Sequence, residues 1–242
     1  MEMLTNRIDI AGRISGITLS HTVFDERFFS AFMEIKRLSG SADVIPVTIS
    51  EKLIISNNIS DGAFARIDGQ LRSYNYYLKI NNLTENRRSK LIVTAFCKNI
   101  FPFDGYVNDV QLDGFVCKKP IYRSTPFGKQ ITDLLVAVNR NYGKSDYIPV
   151  IFWGANALKA SELSIGSHIV LSGRIQSREY EKRTPTGESL QKTTYEVSGF
   201  KFEQKEPYSK RADKFIRSLF VFSHRDHSDV TILPLLLRAT SC

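Results

Sequence analysis

Residues 166–202, GSHIVLSGRIQSREYEKRTPTGESLQKTTYEVSGFKF, read as two long β-strands joined by a basic, turn-rich loop. Ile169, Leu171, Gly173 and Ile175 fall on one face by the period-2 alternation of a strand, and Ser172, Arg174, Gln176, Arg178 and Tyr180 fall on the other. The first face belongs on an apolar core. The second offers guanidinium groups and an aromatic ring. Pro185, Thr186 and Gly187 supply the turn chemistry, and Lys182, Arg183 and Lys192 make its flanks cationic. Tyr195, Val197 and the Phe200/Phe202 pair mark the returning strand. Such a hairpin is either a basic arm that lies along a polyanion or an ordinary solvated hairpin. The rest of the chain weighs in favour of the first.

The same pattern occurs earlier. GAFARIDGQLRS at 62–73 matches GSHIVLSGRIQS at 166–177, IPVTI at 45–49 matches IPVIF at 148–152, and NRIDIAG at 6–12 matches NDVQLDG at 108–114. Three matches in one order, at offsets close to one hundred residues, indicate an internal duplication. Each unit reads as three strands, a short connection and a long hairpin. Residues 28–38 are compatible with strand or helix, because their periodicity is mixed. A bend or bulge is expected at Gly12, and Tyr74, Tyr76 and Tyr77 are expected in a loop with Arg87, Arg88 and Lys90. A helix is expected over 155–163, and a linker near 100–107, where Pro102 and Gly105 interrupt the strands. This is the plan of the OB-fold, a five-stranded Greek-key barrel with a helix between strands three and four. The expected class is therefore all-β, with two tandem barrels: residues 1–101, residues 108–203, and a tail over 204–242.

Composition narrows the function. The chain of 242 residues carries a net charge of +8, spread as +2 over residues 1–107 and +3 over each of 108–204 and 205–242. Charge distributed over folded surface favours a polyanionic partner. Cys97, Cys117 and Cys242 are scattered without CxxC spacing, so neither a disulfide framework nor a zinc site is expected, and a reducing cytoplasm fits. The N-terminal stretch has no apolar h-region and no run reaches membrane-spanning length, which predicts a soluble protein. No GxSxG, Walker loop or HExxH occurs, and no plausible pair of catalytic carboxylates stands out. The SHRDHSD segment at 223–229 has too little specificity to define a metal site. No enzyme activity and no cofactor are expected.

Residues 108–203 resemble the bacterial single-stranded DNA-binding protein family through NDVQLDG (108–114), YRSTPFGK (122–129), LLVAVNR (134–140), YIPVIFWG (147–154), GSHIVLSGRIQSREY (166–180) and TTYEV (193–197). The first unit resembles it only at NRIDIAG, IPV and GQLRSY, so its membership rests on the duplication. The resemblance implies a sequence-tolerant binder of single-stranded DNA in replication, recombination or repair. It also implies a homodimer presenting four barrels, and contacts with replication or repair proteins.

The resemblance further implies that Tyr142, Tyr147, Trp153 and Tyr180 stack on unpaired bases, while Arg123, Lys129, Arg140, Lys144, Arg174, Arg178, Lys182 and Arg183 meet phosphates. The residue pattern agrees at one strand. Tyr147, Pro149, Ile151 and Trp153 share one face and Ile148, Val150 and Phe152 the other, which sets Trp153 on an outer face rather than in the core. In the first unit Ser50 stands at the position of Trp153 and Val44 at that of Tyr147, while Tyr76 keeps the position of Tyr180 and Tyr74 joins Arg66 and Arg72 on one strand face. That unit is expected to be degenerate in stacking aromatics and to bind more weakly. The tail is basic and apolar and departs from the acidic ending that the resemblance implies. The rival reading keeps the barrels as a protein-interaction module, primosome-like or for oligomerisation, without a need for Tyr147, Trp153 and Tyr180 on the binding surface.

Overall fold

Isoleucines alternating with polar residues from Asn6 onward form β1 (Asn6–Val23), which runs into a hairpin with β2 (Glu26–Lys36). The chain continues through β3 (Ala42–Ser50), α1 (Glu51–Ser56), β4 (Phe64–Leu78) and β5 (Arg88–Pro102). These five strands pair in the order β2-β3-β5-β4-β1, and the β1–β2 pairing closes the barrel. The second unit repeats the scheme with β6 (Val107–Val116), a short edge strand β7 (Ile121–Ser124), β8 (Gln130–Asn139), β9 (Ser145–Trp153), α2 (Ala155–Ser161), β10 (His168–Arg183) and β11 (Ser189–Lys205). Its order is β6-β10-β11-β9-β8, closed by β6–β8. The computed structural model describes residues 6–78, 88–125, 127–140, 143–183 and 189–205. Both barrels follow the OB-fold plan, with a short helix between the third and fourth strands.

Inward-facing residues set the register. Ile8, Ile10 and Ile14 of β1, Ile45, Val47 and Ile49 of β3, and Ile148, Val150 and Phe152 of β9 are buried in one apolar cluster that runs through both barrels. Each such side chain contributes about 1.5–3 kcal/mol by leaving water. A one-residue slip would turn a whole strand's apolar set outward, so the pairing is strongly specified. Closure requires a close approach at two equivalent glycines. A Cβ on Gly12 would lie 2.1 Å from the Glu34 carbonyl oxygen, and one on Gly114 would lie 2.5 Å from that of Ala137. Both glycines stand immediately before the strand takes up its closing partner, at Arg13 and Phe115 respectively.

Several sequence expectations are revised here. Residues 28–38 are mostly strand; their mixed pattern arises because Ala31, Met33 and Ile35 face inward while Phe28 and Phe32 stand among the polar Ser30 and Glu34 on the other side. Tyr74, Tyr76 and Tyr77 belong to β4 rather than to a loop, opposite Ile92, Lys90 and Ser89 of β5. The register shift expected near Gly12 lies instead between Ser15 and Thr18, around Gly16 with its positive φ of 69°. Strands reach to Pro102 and restart at Val107, so the linker shrinks to 103–106. Strand β7 was not anticipated. The Pro185–Thr186–Gly187 turn, Arg87 and the tail from 206 lie outside the described residues.

The two barrels join through an antiparallel pairing of β1 with β6. Ile8 lies opposite Val110, Asn6 opposite Leu112 and Ile10 opposite Asn108. Equivalent positions of the duplication therefore exchange places across the seam, which gives the chain an internal approximate two-fold.

Candidate nucleic-acid interface

Strand β9 carries its apolar residues inward, so Tyr147 and Trp153 fall on the outer side of the second barrel. Trp153 is 41% exposed and lies opposite Ile131, while Tyr147 lies opposite Ala137. Six residues of strand separate the two rings by roughly 20 Å. Burial raises the Tyr147 phenol above its ordinary pKa, with Cys117 a lesser cause, so this ring is held neutral and partly covered. Ile151, on the same face, is buried at 3% exposure rather than open, next to Asp133 in register. Tyr180 sits on the part of β10 beyond the barrel, opposite Lys192, with the Arg178 guanidinium 5.9 Å from its ring centre. Tyr142 and the side chains of Tyr76, Lys182 and Arg183 lie outside what the structure describes.

Four of the arginines expected at phosphates, Arg72, Arg123, Arg140 and Arg178, have carboxylate partners. Arg123 holds Asp133 at 2.8 Å from β7. Arg178 holds Glu196 at 3.1 Å, and Glu196 also accepts from Gln176 at 2.9 Å. Arg140 holds Asp146, whose side chain is fully buried, and Arg72 of the first barrel reaches the same carboxylate at 3.0 Å. Arg174 donates to Gln176 at 3.5 Å, and burial together with the nearby Arg37 lowers its pKa. Lys129 and Lys144 are exposed. In the first barrel Arg66 is paired with Asp9 at 2.6 Å, which lowers the Asp9 pKa, and Tyr74 is 51% exposed.

Sequence reasoning missed the role of two buried aspartates. Ser73 of β4 donates its backbone N–H to Asp146 at 2.5 Å, and its hydroxyl accepts from the Tyr147 N–H at 2.7 Å. Across the pseudo-two-fold, Ser177 of β10 donates its N–H to Asp43 at 2.9 Å, and its hydroxyl accepts from the Val44 N–H at 3.0 Å. Arg37 grips Asp43 as Arg140 grips Asp146. The Asp146 clasp fixes the start of β9, and with it Tyr147, against the first barrel, and the Asp43 clasp fixes the start of β3, and with it Val44, against the second.

It also missed where the first barrel keeps its aromatics. Ser50 does not merely lack an indole: its side chain caps α1 by accepting from the Leu53 N–H at 3.4 Å. Phe28 and Phe32 of β2 and Phe96 of β5 occupy the outer side of the same sheet, where the second barrel has Ile131, Leu135 and Ser198. The offset that revealed the duplication would have exposed this exchange had it been followed along β2 and β5. Two further rings, Phe24 (99% exposed) and Phe127 (91% exposed), stand at equivalent places near the tips of the β1–β2 and β7–β8 hairpins.

The Single-strand binding protein family matches over residues 107–203. Single-stranded DNA-binding protein B of Bacillus subtilis is 31% identical over 113 residues, which cover 44% of this chain and 98% of that protein. The single-stranded DNA-binding protein of Clostridium tetani is 39% identical over 87 residues, 33% of this chain and 60% of that protein's length. Among solved structures, the wild-type single-stranded DNA binding protein from Thermus aquaticus superposes with a TM-score of 0.61 at 19% identity, covering 85% of this chain and 95% of that one. That last likeness extends over most of the chain and concerns the fold.

Proposed function

Because the chain belongs to the single-strand binding protein family, we propose that it binds single-stranded DNA with little sequence preference and protects it during replication, recombination or repair. The observation that carries this reading is Trp153, a large indole left open on the outer face of β9 within the segment that matches the family. Stacking tolerates any sequence because every base has a π-face, and each stacked base is worth about 1–3 kcal/mol. Tyr147 and Tyr180 extend the base-stacking path, with Tyr142 its further member. Phosphates are met first by Lys129 and Lys144, whose side chains are exposed, and by Lys182 and Arg183 of the hairpin arm. Arg123, Arg140, Arg174, Arg178 and Arg72 shape the surface through the partners that hold them and add field to it.

In this reading residues 108–203 form the main binding domain, residues 1–101 a second barrel, and 204–242 a tail outside both. The protein acts in the cytoplasm on the nucleoid. It pairs as a homodimer presenting four barrels, and meets replication or repair proteins there. Trp153 is the only tryptophan, so the test is direct: titration with oligo-dT is expected to quench its emission, and duplex of equal length to do so far less. An emission unchanged at saturating oligo-dT, with binding shown independently, would remove Trp153 from the path.

A further inference from the structure

The first barrel carries an unbroken row of π-systems across its outer face. The His21 ring stacks on Phe28 with centroids 5.2 Å apart and planes inclined by 11°. Phe28 lies 6.1 Å from Phe96, and the Arg72 guanidinium lies 5.7 Å from the Phe96 centroid. The row thus crosses the sheet from β1 through β2 and β5 to β4, perpendicular to the strands. Phe32, four residues along β2 from Phe28 and on the same side, is 45% exposed, and Tyr74 is exposed beyond Arg72 on β4. Between these rings the surface is made of small groups, Ser30 and Thr48, which lie opposite each other in register.

The equivalent positions of the second barrel hold Ile131, Leu135 and Ser198, all buried, so the fold accepts aliphatic or small groups there and does not require aromatic rings. The exchange is reciprocal. Where the second barrel has Tyr147 and Trp153 on its third strand, the first has Val44 and Ser50, and its rings sit on the second and fifth strands instead. Rings with a cation at the end of the row match the stacking-plus-charge chemistry of an unpaired polynucleotide.

We infer that the first barrel holds its own base-stacking site, built on Phe28, Phe32 and Phe96, flanked by His21, Arg72 and Tyr74, and shifted across the sheet from the site of the second barrel. This rests on the single-strand reading above. It replaces the expectation that the first barrel is poor in stacking aromatics: the rings are present but on other strands. A single strand crossing from one barrel to the other would change strands as it crosses the β1–β6 seam.

The test uses the full chain and labelled oligo-dT long enough to span both barrels. Phe28→Leu with Phe96→Leu keeps the packing apolar while removing the π-faces, and Phe32→Ala alters an exposed ring. Each variant is expected to weaken binding by about tenfold or more while leaving quenching of Trp153 at saturation intact. Photocrosslinking to 5-iodouracil-substituted strands gives an independent readout. Adducts are expected on the tryptic peptides 28–36 and 91–98, and equally with Trp153→Ala present.

If the unaltered chain fails to bind single strands, the underlying reading falls and this site with it. If the unaltered chain binds while both variants match it within twofold and neither peptide carries an adduct, the first-barrel site alone is overturned.

Discussion

Asn6 and Asn108, one in each barrel, make the same pair of hydrogen bonds to equivalent residues. Asn6 donates to the Leu71 carbonyl at 2.7 Å and accepts from the Leu71 N–H at 2.9 Å; Asn108 does the same with Ile175 at 2.8 and 2.9 Å. Each carboxamide stands where β1 or β6 meets the fourth strand of its own barrel, and satisfies a backbone donor and acceptor there.

Replacing either asparagine by alanine orphans both backbone groups of its partner. An unsatisfied buried group costs about 1–3 kcal/mol, so Asn6→Ala, at a position 2% exposed, is expected to lower unfolding stability by several kcal/mol. Asn108→Ala is expected to do the same or somewhat less, its site being half-buried. Urea unfolding of the two variants gives the comparison. A loss below 1 kcal/mol in both would mean that water replaces the carboxamide without cost.

The two buried aspartates are predicted to be unequal. Asp146 is ion-paired with two arginines, Arg140 and Arg72, whereas Asp43 is ion-paired with Arg37 and acts on Arg174 only through space. Breaking a buried ion pair by removing one partner costs about 3–5 kcal/mol. Asp146→Asn is therefore expected to destabilise more than Asp43→Asn, and to loosen the barrels from each other because Arg72 and Ser73 belong to the first. Limited proteolysis within 103–106 reports that loosening. Equal stability losses and unchanged cleavage would put the clasp's strength in its backbone bonds rather than in its charge.

The repeat was legible because strings such as GRIQS and GQLRS survive where the backbone must approach closely and face the core. The aspartate clasps were not, because their partners lie 74 residues apart for Arg72 and Asp146 and 134 for Ser177 and Asp43. No local period links such positions. Strand β2 was ambiguous for a physical reason: alternation labels a strand cleanly only when one face is polar throughout, and Phe28 and Phe32 interrupt the polar outer face of β2. The phosphate-contacting role given to the arginines came from the family resemblance together with their type and strand face. None of these shows whether a carboxylate stands beside them.

The thiols offer a reactivity test. Burial pushes Cys97 and Cys117 up to about 12, far from the thiolate range at neutral pH. In a Cys242→Ser background neither is expected to react with a disulfide reagent at pH 8 in the folded state, and both are expected to react in guanidinium. Cys117 is half-buried, with its Sγ donating to the Leu135 carbonyl at 3.1 Å, whereas Cys97 is 3% exposed, so rapid labelling of Cys97 in the native protein would show that the first barrel opens.

The last prediction separates cations that meet phosphate from cations that hold the fold. Lys129 and Lys144 are exposed, whereas the side chains of Arg123 and its partner Asp133 are 21% and 18% exposed. Each phosphate neutralised on a single strand contributes about −0.7 to the slope of log affinity against log salt. Lys129→Ala with Lys144→Ala is expected to flatten that slope by about 1.4 if both meet phosphate, with the unfolding midpoint unchanged. Arg123→Gln is expected to reverse the pattern. It leaves Asp133 unpaired, at a cost between the value of under about 1 kcal/mol for an exposed pair and about 3–5 kcal/mol for a buried one, and leaves the slope where it was. Binding of labelled oligo-dT at four or five salt concentrations, beside a urea melt of each variant, measures both quantities. A flatter slope in Arg123→Gln at undiminished stability would mean that the arginine leaves Asp133 for the nucleic acid when a strand arrives.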